Sequence, residues 1–473
     1  MPARLTALLA SAAALAIGTA PLAAQTGPTA PTDSAAPRTS EPPTKAEPRR
    51  SDASLLVPAI AIQNFRPNDQ RGINVFEAPK NDAVPFTGFK LNFGAAFTQQ
   101  FQGLDHSNTA APRMVNNANA TALVPIGNGF NNAVANAYLN GQLAKGIRVA
   151  MTAYLSSRHH NETWVKDGYL QIDDSPIDLP VLNTLMRYVT VKAGHFEINY
   201  GDAHFRRTDN GHSLYNPLVG NYVMDAFTTQ VGGEVYLRGR GALDGLFLMQ
   251  GITNGEVRGI IQSPQRRSPA YITKIGVDRQ LSKDLRVRLT ASGFNQARSA
   301  NQTLFSGDRA GSRYHSVLEN NTDEKAAFTS GAINPGFNEM HAYVVNPFVK
   351  LGGFEFFGNF ERARGKQPTE AARRELRQNV VEGTYRFLGN RLYASARYNT
   401  VDGRIATPTS TAAAPLYQDI TVKRSQFGGG WFITPTIQMK AEWVDQRNQG
   451  FATTDVRSGG RFKGFMIEAG LAF

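Results

Sequence analysis

The sequence contains no cysteine, and beyond its N-terminus it has no long apolar run. The absence of cysteine excludes disulfide frameworks, thiolate metal sites, cysteine nucleophiles and lipid attachment through an N-terminal cysteine. No later run reaches the roughly eighteen apolar residues that a membrane-spanning helix needs. Charged residues make up only 19% of the 473 positions, and the formal net charge is +12. This basic charge is spread along the chain rather than clustered with aromatic residues, which argues against nucleic-acid binding.

The first residues have the pattern of a targeting segment. Arg4 precedes an apolar stretch over residues 5–17, and small residues follow up to Ala24. This order is typical of a secretory signal peptide, which we predict to span residues 1–24. The alternative is an anchor helix that is not cleaved.

A second pattern, alternation with a period of two, begins near residue 88 and indicates β-strands. Between residues 89 and 97 the odd positions hold Phe, Leu or Ala, whereas Lys90 and Asn92 occupy even positions. Most such segments have about ten to thirteen residues, the length that a tilted strand needs to cross a bilayer. We predict sixteen of them: 88–102, 131–144, 146–158, 163–173, 186–198, 228–239, 243–252, 270–281, 284–296, 340–351, 354–364, 376–388, 390–401, 421–433, 435–446 and 463–473.

The connections between these segments alternate between short and long. Tight turns such as 144–146 and 388–391 carry Gly, Asn or Lys, whereas connections such as 199–227 and 297–339 are long. One exception, 174–185, falls where a short turn is expected. Short turns at one end and long loops at the other are typical of outer-membrane barrels. We therefore predict an all-β fold, a 16-stranded antiparallel transmembrane β-barrel with short periplasmic turns and long external loops.

The charged positions decide which face of the strands meets lipid. An arginine or lysine facing lipid at mid-membrane costs about 2–4 kcal/mol. Several such costs together would exceed a typical folding stability of about 5–15 kcal/mol. The charged face is therefore predicted to surround a wet lumen. The alternative is a soluble all-β protein with a one-sided core. The residues concerned are Arg148, Arg286, Arg288, Arg397 and Lys440.

The chain ahead of the strands has a different composition. Residues 26–50 are rich in proline, alanine, threonine and serine, and such a stretch buries too little apolar surface to become ordered. Residues 55–62 are apolar but interrupted by Pro58, and they fit a short strand or a segment inside the lumen. We predict a proline-rich disordered linker and N-terminal segment over 25–85, followed by one barrel domain over 86–473.

The last strand, together with the predicted signal peptide and the sixteen segments, resembles Gram-negative outer-membrane porins. Apolar residues alternate from Phe465 through Ile467 and Leu471 to the terminal Phe473. In that family the terminal phenylalanine is read by the barrel-assembly machinery, and the resemblance implies the same role for Phe473. It also implies a homotrimer. Within the porins, residues 191–196 are most similar to the phosphate-selective porin O and P type.

The resemblance also implies where the channel is narrowest. The third external loop, 199–227, is expected to fold inward and form the constriction. The alternative places Arg206 and Arg207 on the outer surface, paired with acids or with lipopolysaccharide phosphates. The constriction residues implied for the loop are Asp202, Arg206, Arg207 and Asp209, facing the wall residues Lys90, Arg148, Lys192, Arg286, Arg288, Arg397 and Lys440.

These observations predict a porin of the cell outer membrane through which small hydrophilic solutes diffuse passively. Cations outnumber acids at the predicted lumenal positions, which predicts a weak preference for anions. We predict no enzymatic activity, no metal and no other cofactor. The expected partners are outer-membrane lipid and lipopolysaccharide, the barrel-assembly machinery and the solutes. The alternatives are a substrate-specific channel for phosphate or sugar, and an outer-membrane enzyme or adhesin that uses the long loops.

Overall fold

A computed structural model describes residues 59–78, 80, 84–131, 133–155, 163–257, 267–306, 313–320 and 329–473. The predicted signal peptide, 1–24, and most of the predicted linker lie outside the described residues. Among the described residues, no helix is long and apolar enough to cross a membrane.

Sixteen long strands form one antiparallel sheet in which each strand pairs with the next in sequence. The first strand pairs with both the second and the last, so the sheet closes on itself. The predicted fold, a closed 16-stranded antiparallel barrel, is confirmed. The strands are β1 (Lys90–Ser107), β2 (Val134–Ala144), β3 (Ile147–Leu155), β4 (Thr163–Ile172), β5 (Val189–Glu197), β6 (Thr229–Arg238), β7 (Leu246–Thr253), β8 (Ala270–Gln280), β9 (Leu285–Gln296), β10 (Glu339–Leu351), β11 (Phe354–Lys366), β12 (Arg374–Phe387), β13 (Leu392–Ala406), β14 (Tyr417–Thr434), β15 (Ile437–Gln449) and β16 (Arg461–Ala472).

The two ends of the barrel differ in their connections. At one end, here called the turn end, most links are short, such as the two residues 435–436 between β14 and β15. At the other, the loop end, the links include 198–228 and 297–338. The long link predicted at the turn end is present and contains a six-residue helix, α1 (Pro180–Leu185). Two-residue strands at Met114–Val115, Ala118–Asn119 and Gly129–Phe130 lie in the link between β1 and β2.

Alternate residues of each strand point to opposite sides of the barrel wall, as a period of two requires. On β12, Glu382 and Arg386 are buried inside, whereas Val381, Tyr385 and Phe387 are exposed outside. Because this pattern recurs around the barrel, the outer face carries an apolar band, and the charged residues at the level of this band point inward.

The inner face is not polar along its whole length, in contrast to the prediction. Near the loop end, inward residues such as Phe294, Val344 and Val401 are buried in an apolar cluster with Met224 and Phe305 of the long loops. The sequence pattern misses this cluster because its other half comes from loops that have no periodicity. Part of the lumen is therefore a dry core.

Some strands extend farther toward the loop end than predicted. β14 begins at Tyr417 rather than at residue 421. Within this extension, an exposed ion pair joins Asp419 to Arg404 of β13 at 2.8 Å. These extensions have polar residues on both faces, so the alternation that marks a membrane-crossing strand is lost there.

Candidate functional site

Besides the loop residues of the apolar cluster, two described segments without strands lie inside the barrel or across its turn end. The first is the link 198–228, here called the inner loop, in which most side chains are buried. The second comprises residues 59–78 and 80, here called the N-terminal segment, which lies against the turn end. Together with the apolar cluster near the loop end, these two segments fill part of the lumen.

Ion pairs attach the inner loop to one side of the wall. Arg206 donates to Glu382 of β12 at 2.7 Å, and Arg397 of β13 lies 2.6 Å from the same carboxylate. All three side chains are at most 1% exposed. Arg397 also donates to the carbonyl of Gly220 at 2.7 Å. Glu382 therefore joins one loop cation and one wall cation under the loop.

Backbone groups of the inner loop are bound by wall side chains as well. The ammonium group of Lys440 donates to three loop carbonyls, those of Ser213, Asn216 and Leu218, at 2.9 Å each. Glu442 accepts the backbone N–H of Val219 at 2.8 Å. These hydrogen bonds fix the path of the loop backbone along the wall. If the backbone followed another path, the buried ammonium and carboxylate groups would lose their partners.

The N-terminal segment crosses the turn end and bonds to widely separated strands. The backbone N–H of Gln70 donates to the carbonyl of Pro435 at 2.9 Å, in the turn between β14 and β15. Asn74 donates to Glu355 of β11 at 2.7 Å. Lys80 donates to the carbonyl of Val189 at 2.7 Å, where β5 begins. The segment therefore spans the turn-end mouth.

A four-residue charge cluster links both segments to β8 and β9. Arg288 lies 2.8 Å from both Asp202 and Glu77, and Lys274 lies 2.7 Å from Asp202 and 3.0 Å from Glu77. Burial raises the pKa of both acids, but Arg288 and Lys274 outweigh it. The pKa of Asp202 is therefore held below its usual range, and that of Glu77 well below. Both acids are ionised at neutral pH.

A cavity of about 230 Å³ lies beside the inner loop, along β2–β5. The strand wall forms one side of it, and the inner loop and N-terminal segment form the other. Basic residues exceed acidic ones in its lining. The charged lining residues are Arg66, Arg148, Lys166, Lys192 and Arg207, with Asp167, Glu197 and Asp209.

A cross-strand row of side chains runs along the wall of this cavity. The register aligns Arg148 on β3 with Gln171 on β4, and Gln171 with Lys192 on β5. Arg148 donates to Gln171 at 2.8 Å, and Lys192 lies 4.5 Å from the ring centre of Tyr169. Lys90 continues the row through Gln142 toward β1. Cations therefore alternate with glutamines on successive strands.

A β-bulge adds a further cation to the cavity. The register of β4 against β3 shifts so that Thr152 faces Asp167 and Ala153 faces Val165. A bulge sets two consecutive residues opposite one and redirects a side chain. Lys166 is the extra residue, and it reaches Glu197 at 2.7 Å and Asp209 at 2.6 Å. Strict alternation along residues 163–173 puts Asp167 on the same face as Gln171 and Lys166 on the opposite face, so only the bulge brings Lys166 into the cavity.

The structure divides the predicted constriction residues into two groups. Arg148, Lys192, Arg207 and Asp209 line the cavity, and Arg207 is also paired with Asp225 at 2.6 Å. The others do not line it. They attach the inner loop or the N-terminal segment to the wall, or lie beyond the cavity at the turn end. These residues are Asp202, Arg206, Arg286, Arg288, Arg397, Lys440 and Lys90.

Several cavity residues were not predicted from the sequence. Arg66 of the N-terminal segment donates to the carbonyl of Phe205 at 2.9 Å and lies 3.8 Å above the ring of Tyr215. The sequence suggested a segment inside the lumen only as one alternative for residues 55–62, and nothing in it places Arg66 inside a barrel. Tyr169 was identifiable, because it occupies an inward-facing position between Asp167 and Gln171.

The terminal residue closes the ladder at the turn end. Phe473 exchanges backbone hydrogen bonds with Ala95 of β1, at 3.0 Å and 3.1 Å, and its side chain is 43% exposed on the outer face. The C-terminus and the start of β1 therefore meet at the seam of the barrel.

Acidification is expected to release both lumenal segments. The pKa of Asp202 and of Glu77 is depressed in the folded state, so the stability they contribute is present above about pH 4 and is lost as the pH falls through their folded pKa values. Burial lowers the pKa of His212 to about 3. That ring therefore stays neutral in the attached loop and becomes charged only after release, below about pH 6.5. All three groups favour detachment in acid.

We expect single-channel conductance at about 1 M KCl, where exposed charges are screened, to become larger and noisier below about pH 5. His212→Gln keeps a donor for the carbonyl of Asn68, which the ring reaches at 2.6 Å, and removes the titration. This variant should therefore shift the onset to lower pH. A conductance that stays constant from pH 7 to pH 3 would contradict the expectation.

No protein-family model matches this chain, and no curated protein sequence matches it. Among solved structures, the trimer form of OmpT from Vibrio cholerae is 10% identical, over 82% of this chain and 100% of its own, with a TM-score of 0.46. The anion-selective porin from Comamonas acidovorans is 9% identical, over 81% and 100%, with a TM-score of 0.46. The outer-membrane channel DcaP of Acinetobacter baumannii is 9% identical, over 82% and 99%, with a TM-score of 0.45. At these values the likeness supports no inference about function.

Proposed function

We propose that this protein is a porin of the Gram-negative outer membrane that conducts small hydrophilic solutes by passive diffusion. The observation that carries the proposal is a closed barrel with an apolar outer band and a charged cavity inside it. An apolar outer face of exposed side chains such as Phe93, Val235, Ile275 and Trp431 requires lipid around it. A charged interior is stable only in contact with water or counter-charges.

The passage in this proposal is narrow and lies off the barrel axis. The inner loop covers β12–β15, so solutes would pass along β2–β5, between the wall row and the loop. Of the predicted constriction residues, Arg148, Lys192, Arg207 and Asp209 line this route. No chemical step and no cofactor are part of the proposal. It includes a homotrimer and the assembly role of Phe473, as the resemblance to porins implies.

A weak anion preference follows from the charges along this route. Lys166 is neutralised by Glu197 and Asp209, and Arg207 by Asp225. Arg148 and Lys192 have weaker compensation, since Arg148 bonds to the neutral Gln171 and Lys192 lies 3.9 Å from Glu234. A small surplus of positive charge in a narrow low-dielectric site attracts anions.

Reversing the two wall charges should therefore reverse the selectivity. We expect Arg148→Glu/Lys192→Glu to change a weak anion preference into a cation preference, measured as the sign of the reversal potential in a salt gradient across a planar bilayer. Lys283→Glu/Lys423→Glu alters the net charge equally at exposed positions away from the cavity and should leave the sign unchanged. A cation preference in the unaltered protein would refute the proposed selectivity, and absence of any conductance would refute the channel.

A further inference from the structure

The charged cavity along β2–β5 contains one base and one acid that the chain itself hardly compensates. Arg148 donates to the neutral Gln171, and no carboxylate of the described residues lies within salt-bridge distance of it. The one described cation within that distance of Asp167 is Lys166, at 3.9 Å, and it lies closer to Glu197, at 2.7 Å. Both Arg148 and Asp167 are at most 6% exposed. Buried charges with so little compensation are costly, so each would be stabilised by an opposite charge on a ligand.

The other cation of this wall does not compensate Asp167 either. Lys192 of β5 is 3.9 Å from Glu234 of β6, and its ammonium donates to the carbonyl of Glu197 at 3.3 Å, where β5 ends. Lys166 and Lys192 are therefore two ammonium groups for three carboxylates, because Glu197 and Glu234 share them with Asp167. An acid remains in excess at this place.

The strand register places Arg148 and Asp167 on either side of an uncharged row. Arg148 is aligned with Gln171 of β4, and Asp167 lies four residues nearer the loop end on that strand. The two levels are therefore about 13 Å apart along the strands. Tyr169 lies halfway between them, aligned with Ala150 of β3, and both line the cavity. Because Ala150 is small, the wall leaves space over this middle row.

The middle row also carries an amide whose hydrogen-bonding groups are unused. Asn140 of β2 is aligned with Ala150, lines the cavity and is 7% exposed. Its side chain makes no hydrogen bond to any of the described residues. An asparagine amide has both donors and an acceptor, so it can pair with the N–H and the C=O of a peptide group.

We propose that this cavity binds short peptides with free termini, two or three residues long. The inference rests on the channel function proposed above and names a class of solute for it. The peptide carboxylate would bind Arg148, the peptide ammonium would bind Asp167, and a peptide group between them would pair with Asn140. The two charged side chains fill part of the distance between their levels, and each extended residue spans about 3.3–3.6 Å. A solute charged at one end only would leave the other buried charge uncompensated.

The test is a calorimetric titration of the purified full chain, in neutral detergent at low salt, with trialanine. Two capped forms each lack one terminal charge: N-acetyl-trialanine has no ammonium, and trialanine amide has no carboxylate. A lost hydrogen bond to a charged group lowers affinity at least about 10-fold. Each capped form should therefore bind at least about 10-fold more weakly than trialanine.

Substitutions should remove these preferences one at a time. Arg148→Gln should bind trialanine and its amide with equal affinity, and should still prefer trialanine to the acetylated form. Asp167→Asn should show the reverse pattern. A misfolded barrel would not lose one preference and keep the other. The matched controls, Lys283→Gln and Asp284→Asn, remove the same charges at exposed turn-end positions and should keep both preferences.

A further probe tests the role of the amide. 8-Aminooctanoate carries both terminal charges at a similar spacing but has no peptide bond. It should bind more weakly than trialanine to the unaltered chain. Asn140→Leu should weaken the binding of trialanine and leave that of 8-aminooctanoate unchanged.

The proposal is overturned if trialanine does not bind, or if Arg148→Gln and Asp167→Asn change both preferences together or neither. Equal binding of N-acetyl-trialanine and trialanine would reduce the cavity to an anion site and would also overturn it. Conductance of the same preparations in planar bilayers is measured separately. Peptide binding without conductance would contradict the channel, whereas conductance without peptide binding would contradict only the peptide site.

Discussion

Deletion of residues 59–80 is expected to raise the single-channel conductance several-fold. The N-terminal segment crosses the turn-end mouth from the turn between β14 and β15 to the start of β5, and it bonds to both. Removing it opens a second route beside the inner loop, and Arg66 no longer narrows the cavity. The measurement is conductance in planar bilayers at fixed salt.

Deletion of residues 26–50 is the matched control, because it shortens the chain upstream and leaves the N-terminal segment intact. Its conductance should equal that of the unaltered protein. Barrel assembly is checked by the shift in gel mobility between heated and unheated samples. If the deletion prevents assembly, replacing residues 59–80 by a glycine-serine linker of equal length makes the same comparison. An unchanged conductance in an assembled barrel would show that the segment does not obstruct the channel.

The second large effect is expected at Glu382. This carboxylate lies between Arg206 and Arg397, and all three groups are almost fully buried. Glu382→Gln removes the negative charge that Arg206 and Arg397 share. The next carboxylate, that of Glu355, is 3.8 Å from Arg206, so the two buried guanidinium groups lose most of their compensating charge. Breaking a buried pair in this way costs about 3–5 kcal/mol. We expect the free energy of unfolding in denaturant to fall by that amount, with noisier conductance as the inner loop detaches.

Glu375→Gln on the same strand is the control. Its partner Arg377 is 52% exposed, and an exposed pair contributes about 0–1 kcal/mol. Replacing Glu382, Arg206 and Arg397 together by leucine should restore much of the stability, since apolar groups of similar size often substitute for a buried ion network. Equal destabilisation by Glu382→Gln and Glu375→Gln would contradict the assigned role.

Strand positions were predictable because the alternation of side chains is a local property. Residues 376–388 show it without reference to any other part of the chain, and β12 spans Arg374–Phe387. The direction of the charged face followed from the cost of placing arginine in lipid. The bulge at Lys166 was not predictable, because it appears only when β3 and β4 are paired.

The candidate site was predictable in type but only partly in its members. Arg206 and Arg207 are adjacent and chemically identical, yet Arg206 is attached to Glu382 under the loop and Arg207 faces the cavity. No local pattern distinguishes them. The difference arises from partners 18 to 176 residues away in sequence.

Composition and period-two alternation alone were enough to predict a barrel, its strand count and its inward charged face, whereas the inward folding of the connection 199–227 was implied only by the resemblance to porins. These features depend on neighbouring residues and on the free energy of moving charge into lipid. Three features were decided only in the folded chain: where the inner loop lies against the wall, how the N-terminal segment spans the turn end, and which residues line the charged cavity along β2–β5. The reason is that these features come from ion pairs and apolar contacts between distant residues, whose free energy exists only after the sheet has closed.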